Sequence, residues 1–496
     1  MKAILKYFTF TAFGLVLGLG LASTDKGQKL AVGVKATASS VSSSSLEKII
    51  EYSESRGTRD LVLLENPSLI KSIMKGGSFG GEFSRAAAQH MFDRNHQDSV
   101  DDITEKSRAE LIAPRTWMLY LPIVNAVLFE TDEGLVLVDA GMAPAGPAIA
   151  KLIKSVSDKP LHTIIYTHGH VDHAYGTWAL MEDQPQIIAH EKLPQRFDRY
   201  IRLRGSLAKF MSQPTTSLPK TTGDLIYPTV TFQDQLEIIV GGETFVLKHH
   251  RGETDDQLYV WAPERKALAS ADYYQGFLPN AGNGKRQQRY VADWAAAVDE
   301  MAALGAEHLL PAHGKAISDA ALIKENLNTL GETLQHVVDH VTLELNKGTR
   351  KGLIPYKLQL PDHLANHPTM NEQYVSPADI AKMVIRQYTG WWDEVPSHWS
   401  PATLEARSRE IAQLSGGITQ LIARAHTLID GDIVMASHLA DWAWYADPEN
   451  AQVQELVIEV YKKRVVDERS NTMEMLAYLD QIVAARDRQL TNKHNN

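Results

Sequence analysis

The sequence predicts an α/β fold of stacked sheets with helices outside, followed by an all-helical C-terminal domain. Three observations carry this. Short apolar, β-rich runs separated by turn residues recur between Thr116 and Ala271. Beyond His313 strand signals nearly vanish, and apolar residues return every three or four positions. At 496 residues the chain exceeds one typical domain, so two cores are expected.

The chain opens with the basic Lys2 and Lys6, then runs almost entirely apolar from Tyr7 to Ala22 and ends in the small residues Gly18–Thr24. That pattern reads as a secretory signal over residues 1–24, which implies export to the periplasm. An uncleaved membrane anchor is the alternative, although the run is shorter than a comfortable span. Residues 25–112 read as a linker and helical extension, with a Ser-rich linker at Ser39–Ser45 and a Gly-rich loop at Gly76–Phe83.

Residues 113–330 carry the strand signals. Met118–Phe129 and Leu135–Val138 are apolar, and the turn Thr131–Gly134 between them predicts a hairpin. Ile149–Val156 has helical spacing, and Thr163–Tyr166 is a short apolar strand. Strands are then expected at Gln186–Ala189, Thr229–Phe232, Glu237–Val240, Thr244–Lys248, Gln257–Trp261 and Ala267–Ala271. From 331 to 496 the reading is helical. Ile323, Leu327, Leu330, Leu334, Val337, Val341 and Leu345 form one long amphipathic stripe stopped by Gly348. Ser376 and Pro377 start a further helix that Gly390 stops, and others begin near Ala402, Ile418, Ile433 and Ala451. The Asp447–Asn450 corner resembles a tetratricopeptide turn.

Composition is ordinary for a globular protein, 44% hydrophobic and 22% charged. The net charge of −10 argues against a nucleic-acid binder, and an anionic substrate would need a local cationic pocket. There are no cysteines, so any metal site must use His, Asp and Glu.

The strongest chemical signal is Thr167–His173, reading THGHVDH. His168 and His170 alternate along an extended segment and project the same way. Asp172 and His173 follow as the chain turns into a helix, where they face a second position. A polar loop without metal is the bland reading, but so dense a histidine cluster is improbable by chance. Asp272 ends the strand Ala267–Ala271, and its two oxygens suit a bridge between cations. Alone it would read as a turn cap; beside the cluster it reads as a ligand. His313, followed by Gly314, closes another strand as a ligand would.

THGHVDH, a strand-end Asp272 and the PAHG of Pro311–Gly314 together resemble the metallo-β-lactamase superfamily, as does Leu135–Gly141 with its supporting Asp139. The resemblance implies a four-layer αββα sandwich with metals at one edge of the sheets. It assigns His168 and His170 to one metal, Asp172, His173 and His313 to the other, and Asp272 to the bridge. Where most members carry a histidine, this chain reads Gly252–Asp255 (GETD), which puts Glu253 in the slot with His249 and His250 nearby as rivals. A carboxylate there hardens the site. Glutamate in this slot is a trait of the alkyl sulfatase branch. Tyr388–Asp393, Pro396, Pro401, Gly431–Asp432 and Ala446–Asn450 are similar to that branch's dimerisation domain, which implies a homodimer. Two residues depart from the branch: Asp272 stands where Glu is usual, and Tyr273 where Asn is expected.

The resulting expectation is a secreted hydrolase with two divalent ions, zinc by default, although manganese or iron would suit the carboxylates. Asp172 and Asp272 are the expected catalytic carboxylates, orienting a water activated at neutral pH. Lys285, Arg286 and Arg289 follow the loop Asn280–Asn283, and one or more of them is expected to grip a sulfate, with Tyr273, Tyr274 and Phe277 lining an apolar pocket; a solvated basic loop and plain core packing are the bland readings. The substrate is then an alkyl sulfate ester. Another ester, lactone, thioester or phosphodiester is the alternative, and a non-catalytic metal-stabilised scaffold is an alternative of another class.

Overall fold

The computed structural model describes residues 103–121, 124–210, 218–372, 374–467 and 470–495. The expected signal, the Ser39–Ser45 linker and the Gly76–Phe83 loop lie outside the described residues. The chain divides into two compact units, one ending at Glu394 and the other beginning at Val395.

The first unit holds two sheets. The larger runs in sequence order through β1 (Arg108–Ala113), β2 (Thr116–Tyr120), β3 (Ala126–Glu130), β4 (Leu135–Val138), β5 (Leu161–Ile165), β6 (Gln186–His190) and β7 (Val230–Phe232). Its pairs are antiparallel as far as β4 and parallel from β4 to β7. The smaller sheet contains β8 (Gln235–Val240), β9 (Glu243–His249), β10 (Leu258–Ala262), β11 (Ala267–Ala271) and β12 (His308–Pro311), and only its β11–β12 pair is parallel. β1 corrects the expectation of a helical extension through residue 112. Its outward side chains are exposed, which suits an edge strand and hides it from an apolar-run reading. The apolar stretch Met118–Phe129 carries two strands, β2 ending at Tyr120 and β3 beginning at Ala126. The β3–β4 hairpin closes at the expected turn, where Thr131 N donates to Gly134 O at 2.9 Å.

One core lies between the sheets. Val127, Phe129, Val136, Ile165 and Ile188 of the first sheet meet Phe245, Leu247, Val260, Ala269 and Leu310 of the second. The alternate residues of the first sheet, Leu128, Leu135, Leu137, Ile164 and Ile187, face the other way. They pack beneath α1 (Gly146–Val156), α3 (Leu193–Arg202) and α4 (Arg204–Phe210), through Ile149, Ile153, Phe197 and Leu207; the single turn α2 (Val171–Ala174) lies between α1 and α3 in the chain. This two-face alternation is the period-two pattern of a strand buried on both sides.

The outer face of the second sheet is covered by α5 (Val291–Ala303), where Tyr259 of β10 donates to Glu300 at 2.7 Å. Its alanine-rich sequence offers only Val291, Trp294, Val298 and Met301 as large apolar markers, and sequence reasoning passed over it. The four layers are therefore αββα. The long helix α6 (Ala320–Asn346) packs on α5. Gly331 permits their close approach, since a Cβ there would lie 2.2 Å from Asp299 Oδ1. The expected domain boundary between 330 and 331 falls inside this helix. The unit continues through α7 (Ile354–Lys357), α8 (Asp362–Ala365) and α9 (Pro377–Thr389). α9 starts at a capping box of Ser376 and Asp379 and stops at Gly390, whose φ is +82°.

The second unit is helical: α10 (Leu404–Leu414), α11 (Ile418–Leu428), α12 (Ile433–Ala446), α13 (Ala451–Val466) and α14 (Thr472–Asn495). Asn450 caps α13 by accepting from Gln452 N at 2.9 Å, which explains the break after Asp447–Pro448.

Candidate metal centre

All seven expected ligands converge at one edge of the two sheets. His168 follows the C-terminal end of β5, Asp272 that of β11 and His313 that of β12, while Glu253 sits in the loop between β9 and β10. Two residues at strand ends take left-handed backbone: Asp139 after β4 at φ 64° and Ala271, immediately before Asp272, at φ 50°. Such non-glycine conformations cost about 1–3 kcal/mol each and are held by the surrounding structure at functional sites.

The ligand atoms fall into two groups. His168, His170, Glu253 and Asp272 form one; Asp172, His173 and His313 form the other. His168 Nε2 and His170 Nδ1 approach to 2.8 Å. Asp272 touches both groups. Its Oδ2 lies 3.7 Å from His168 Nε2, and its Oδ1 lies 3.4 Å from His173 Nε2 and 3.3 Å from His313 Nε2. Asp172 Oδ2 lies 3.7 Å from both His173 Nε2 and His313 Nε2.

Electrostatics within the cluster fit a cation. Burial, then the neighbouring His173, pushes His168 well below the usual histidine range; burial and then His168 do the same to His170. Both rings therefore offer lone pairs. Burial opposes a charge on His173, yet Asp272, Asp172 and Asp139 hold its pKa well above normal. A field that draws a proton to that Nε2 draws a metal cation there equally. His173 Nε2 and Asp272 Oδ1 are also buried without a hydrogen bond of normal length, an arrangement that costs free energy unless something coordinates them.

The ligands are oriented from behind. Asp139 Oδ2 accepts from His173 Nδ1 at 2.8 Å, so Nε2 is left for the cluster. The same carboxylate accepts from Thr167 N and Thr167 Oγ1, both at 2.8 Å, fixing the start of the motif. Asn125 donates to Pro311 O at 3.1 Å and to Gly314 O at 2.8 Å, which pins the turn carrying His313. Asn125 stood in no motif, and its long-range bonds left no mark in the sequence.

Glu253 is in the cluster and its rivals are not. His250 Nε2 pairs with Glu300 Oε2 at 2.8 Å, and His249 Nδ1 bonds Gln257 O at 2.7 Å. Burial pushes the Glu253 carboxyl up to about 7, against the pull of Arg289. Arg289 Nη2 donates to Glu253 Oε1 at 2.6 Å, and Asn280 Nδ2 donates to the same oxygen at 2.9 Å.

That placement corrects two expectations. Arg289 is only 2% exposed and its guanidinium is bound to Glu253 and to Asn280 O, so it is engaged with a candidate ligand and does not face a substrate. Tyr273 is fully buried, its hydroxyl donating to the carbonyls of His250 and Gln257 and its ring standing edge-on to Trp294 at 6.1 Å. It packs behind the Glu253 loop, against Gly252. Lys285 and Arg286 are part-exposed. Arg286 hydrogen-bonds Tyr374 and feels the fields of Tyr200 and Glu253, so it stands beside the centre. Tyr374 and Tyr200 were missed because neither belongs to a motif.

The Metallo-beta-lactamase superfamily description matches residues 119–313, and the Alkyl sulfatase dimerisation description matches residues 353–487. Among curated proteins, the chain is 25% identical over 365 residues to a linear primary-alkylsulfatase of a Pseudomonas species, covering 68% of this chain and 69% of that one. It is 23% identical over 418 residues to an alkyl/aryl-sulfatase of Saccharomyces cerevisiae, covering 76% of this chain and 64% of that one. Among solved structures, the stereoselective inverting sec-alkylsulfatase from Pseudomonas sp. superposes with a TM-score of 0.70 at 15% identity, covering 84% of this chain and 70% of that one. The chain thus spans about two thirds of the length of the curated relatives it matches. Residues 119–313 form a metallo-β-lactamase superfamily domain, which implies divalent metal binding. Within that superfamily, the chain carries the alkyl sulfatase dimerisation domain and has alkylsulfatases among its relatives.

Proposed function

We propose that this chain is a binuclear metal-dependent hydrolase that cleaves alkyl sulfate esters. The observation that carries this reading is Asp272, whose two oxygens face two separate ligand groups, with Glu253 completing the first. His168, His170 and Glu253 would hold one ion, Asp172, His173 and His313 the other, and Asp272 would bridge. Zinc suits the histidines; manganese or iron would suit the carboxylates. Ions bound there supply Lewis acidity and make a water nucleophilic at neutral pH.

The chain's own residues do the rest. Asp172 and Asp272 accept hydrogen bonds from the attacking water and orient it. Asp139 holds His173 in one tautomer. Arg286, with Tyr374 as its partner, offers a cation and a donor to a sulfate beside Glu253, and Lys285 is a second cation on the same loop. The overall negative charge makes such a local cation necessary.

We further propose a homodimer through the helical part, residues 331–496. The matched dimerisation span leaves large apolar side chains exposed, Tyr356 at 86% and Leu414 at 79% among them. Export to the periplasm is proposed on the N-terminal sequence alone. Among the described residues no helix is long and apolar enough to cross a membrane.

A panel of alkyl sulfates, lactones, thioesters and phosphodiesters tests the reading. Sulfate release from the alkyl sulfates supports it. Turnover of lactones or other esters without sulfate release supports the alternative hydrolase, and ion binding without turnover of anything supports a scaffold.

A further inference from the structure

We infer that Arg196 and Asp256 form a positioning pair that locks the His168–His170 half of the centre to the Glu253 loop, and that breaking the pair releases the ion of that half selectively. The inference rests on the binuclear reading above.

Asp256 lies three residues beyond Glu253, on the same loop, and is fully buried. Its Oδ2 accepts from Gly169 N at 2.8 Å. That amide belongs to the peptide joining His168 to Gly169, between the two histidine ligands of the first group. One carboxylate therefore ties together two of the three segments that supply this group.

Arg196 supports the carboxylate from the other side. It projects from α3, is 8% exposed, and places Nε 3.0 Å from Asp256 Oδ1 while Nη2 reaches Asp255. A buried carboxylate without such a cation would carry a heavy desolvation penalty. The packing leaves no slack. A Cβ at Gly169 would meet Arg196 Cγ and Cδ at 3.2 Å and Asp256 Oδ2 at 3.2 Å, so the pair presses directly on the spacer between the histidines.

The second group is held differently. Asp139 orients His173, and Asn125 pins the His313 turn. Asp139 also fixes Thr167, so it serves both halves. The Arg196–Asp256 pair reaches only the backbone of the first. Loss of a residue that merely stabilises the fold would weaken both ions together; loss of a positioning residue for one group would not. Hydrogen-bond partners one step behind metal ligands commonly set affinity by on the order of 10–100-fold.

The test compares wild type with Asp256→Ala, Asp256→Asn, Arg196→Met and Arg196→Lys after loading with zinc. Ions per chain are measured, then the rate of release of each ion to a chromogenic chelator, with the unfolding midpoint of each metal-free form as a check on the fold. Wild type should show two slowly released ions. Asp256→Ala and Arg196→Met should release one ion on the order of 10–100-fold faster and keep the other at the wild-type rate. Arg196→Lys should recover part of the loss, because it keeps the charge but not the fork. Should Asp256→Ala fail to fold, Asp256→Asn, which keeps an acceptor for Gly169 N–H, is read in its place. Unchanged release of both ions, or equal acceleration of both, overturns the inference. Fewer than two ions in wild type overturns the binuclear reading itself, and the inference with it.

Discussion

Asp272 Oδ1 lies 3.4 Å from His173 Nε2, while its other oxygen faces His168. A strand-end carboxylate thus stands between two groups of candidate ligands, each of which draws residues from both sheets. If it bridges two ions, Asp272→Ala should leave the chain with at most one tightly held ion and abolish turnover, while the unfolding midpoint of the metal-free protein changes little. Metal analysis after dialysis checks this. Two retained ions would remove Asp272 from the bridge.

Arg289 and Glu253 are a buried pair, 2% and 7% exposed at their side chains. Removing one partner of such a pair typically costs about 3–5 kcal/mol, because the other charge is left uncompensated. Glu253 sits at about 7 in the metal-free protein, so Arg289→Met should approach that cost only well above neutral pH, where the carboxylate is ionised, and adding Glu253→Gln should recover part of it. Urea unfolding of the single and double variants measures the coupling. An additive result would show that the two side chains act independently.

Arg286 carries the sulfate proposal. Hydrogen bonds to charged groups contribute about 1.5–3 kcal/mol, so Arg286→Ala should lower kcat/KM for an alkyl sulfate by on the order of 10–100-fold. Ion content should not change. A loss that falls equally on an uncharged ester would argue against a role in anion recognition.

The cluster was legible because His168, Asp272 and His313 follow the ends of apolar strands, where spacing and residue type can be read together, and Asp172 and His173 continue the His168 motif. Asp272 and His313 follow β11 and β12 for this reason, and the observed β11 keeps the expected bounds. What supports the ligands was not legible. Arg289 reaches Glu253, Asn125 reaches Gly314, and Arg196 reaches Asp256 across the fold, and such long-range pairs leave no local periodicity. The same limit misread Tyr273, whose position beside Asp272 suggested a pocket although, in the turn after β11, its hydroxyl donates to the distant carbonyls of His250 and Gln257 and the side chain is fully buried. The helical region was legible in its caps, Ser376 and Gly390, but not in its partition, because α6 has an apolar stripe whether it packs on α5 or on another chain.

Glu344, near the end of α6, accepts from Lys357 at 2.7 Å, Lys347 at 2.9 Å and Thr349 at 2.7 Å, which hold its carboxyl down to about 2. The ordinary value is 4.5, so between those two pH values the unfolded chain binds more protons than the folded one. The stabilisation is fully present above the ordinary value and is lost as pH falls toward 2. Glu344→Gln in the metal-free protein should be less stable than wild type at neutral pH, and the gap should close on acidification through that window. Unfolding midpoints across the acid range check this; a gap that stays constant would contradict it.

The central claim is a two-ion centre that hydrolyses sulfate esters, and one measurement addresses it most directly. Purified protein is analysed for bound metal and assayed for sulfate release from dodecyl sulfate, before and after chelation and after ions are restored. The account predicts about two divalent ions per chain, sulfate release that stops on chelation, and recovery when ions return. Sulfate release that survives complete removal of metal, or a fully loaded protein that releases no sulfate from any alkyl sulfate, would contradict it.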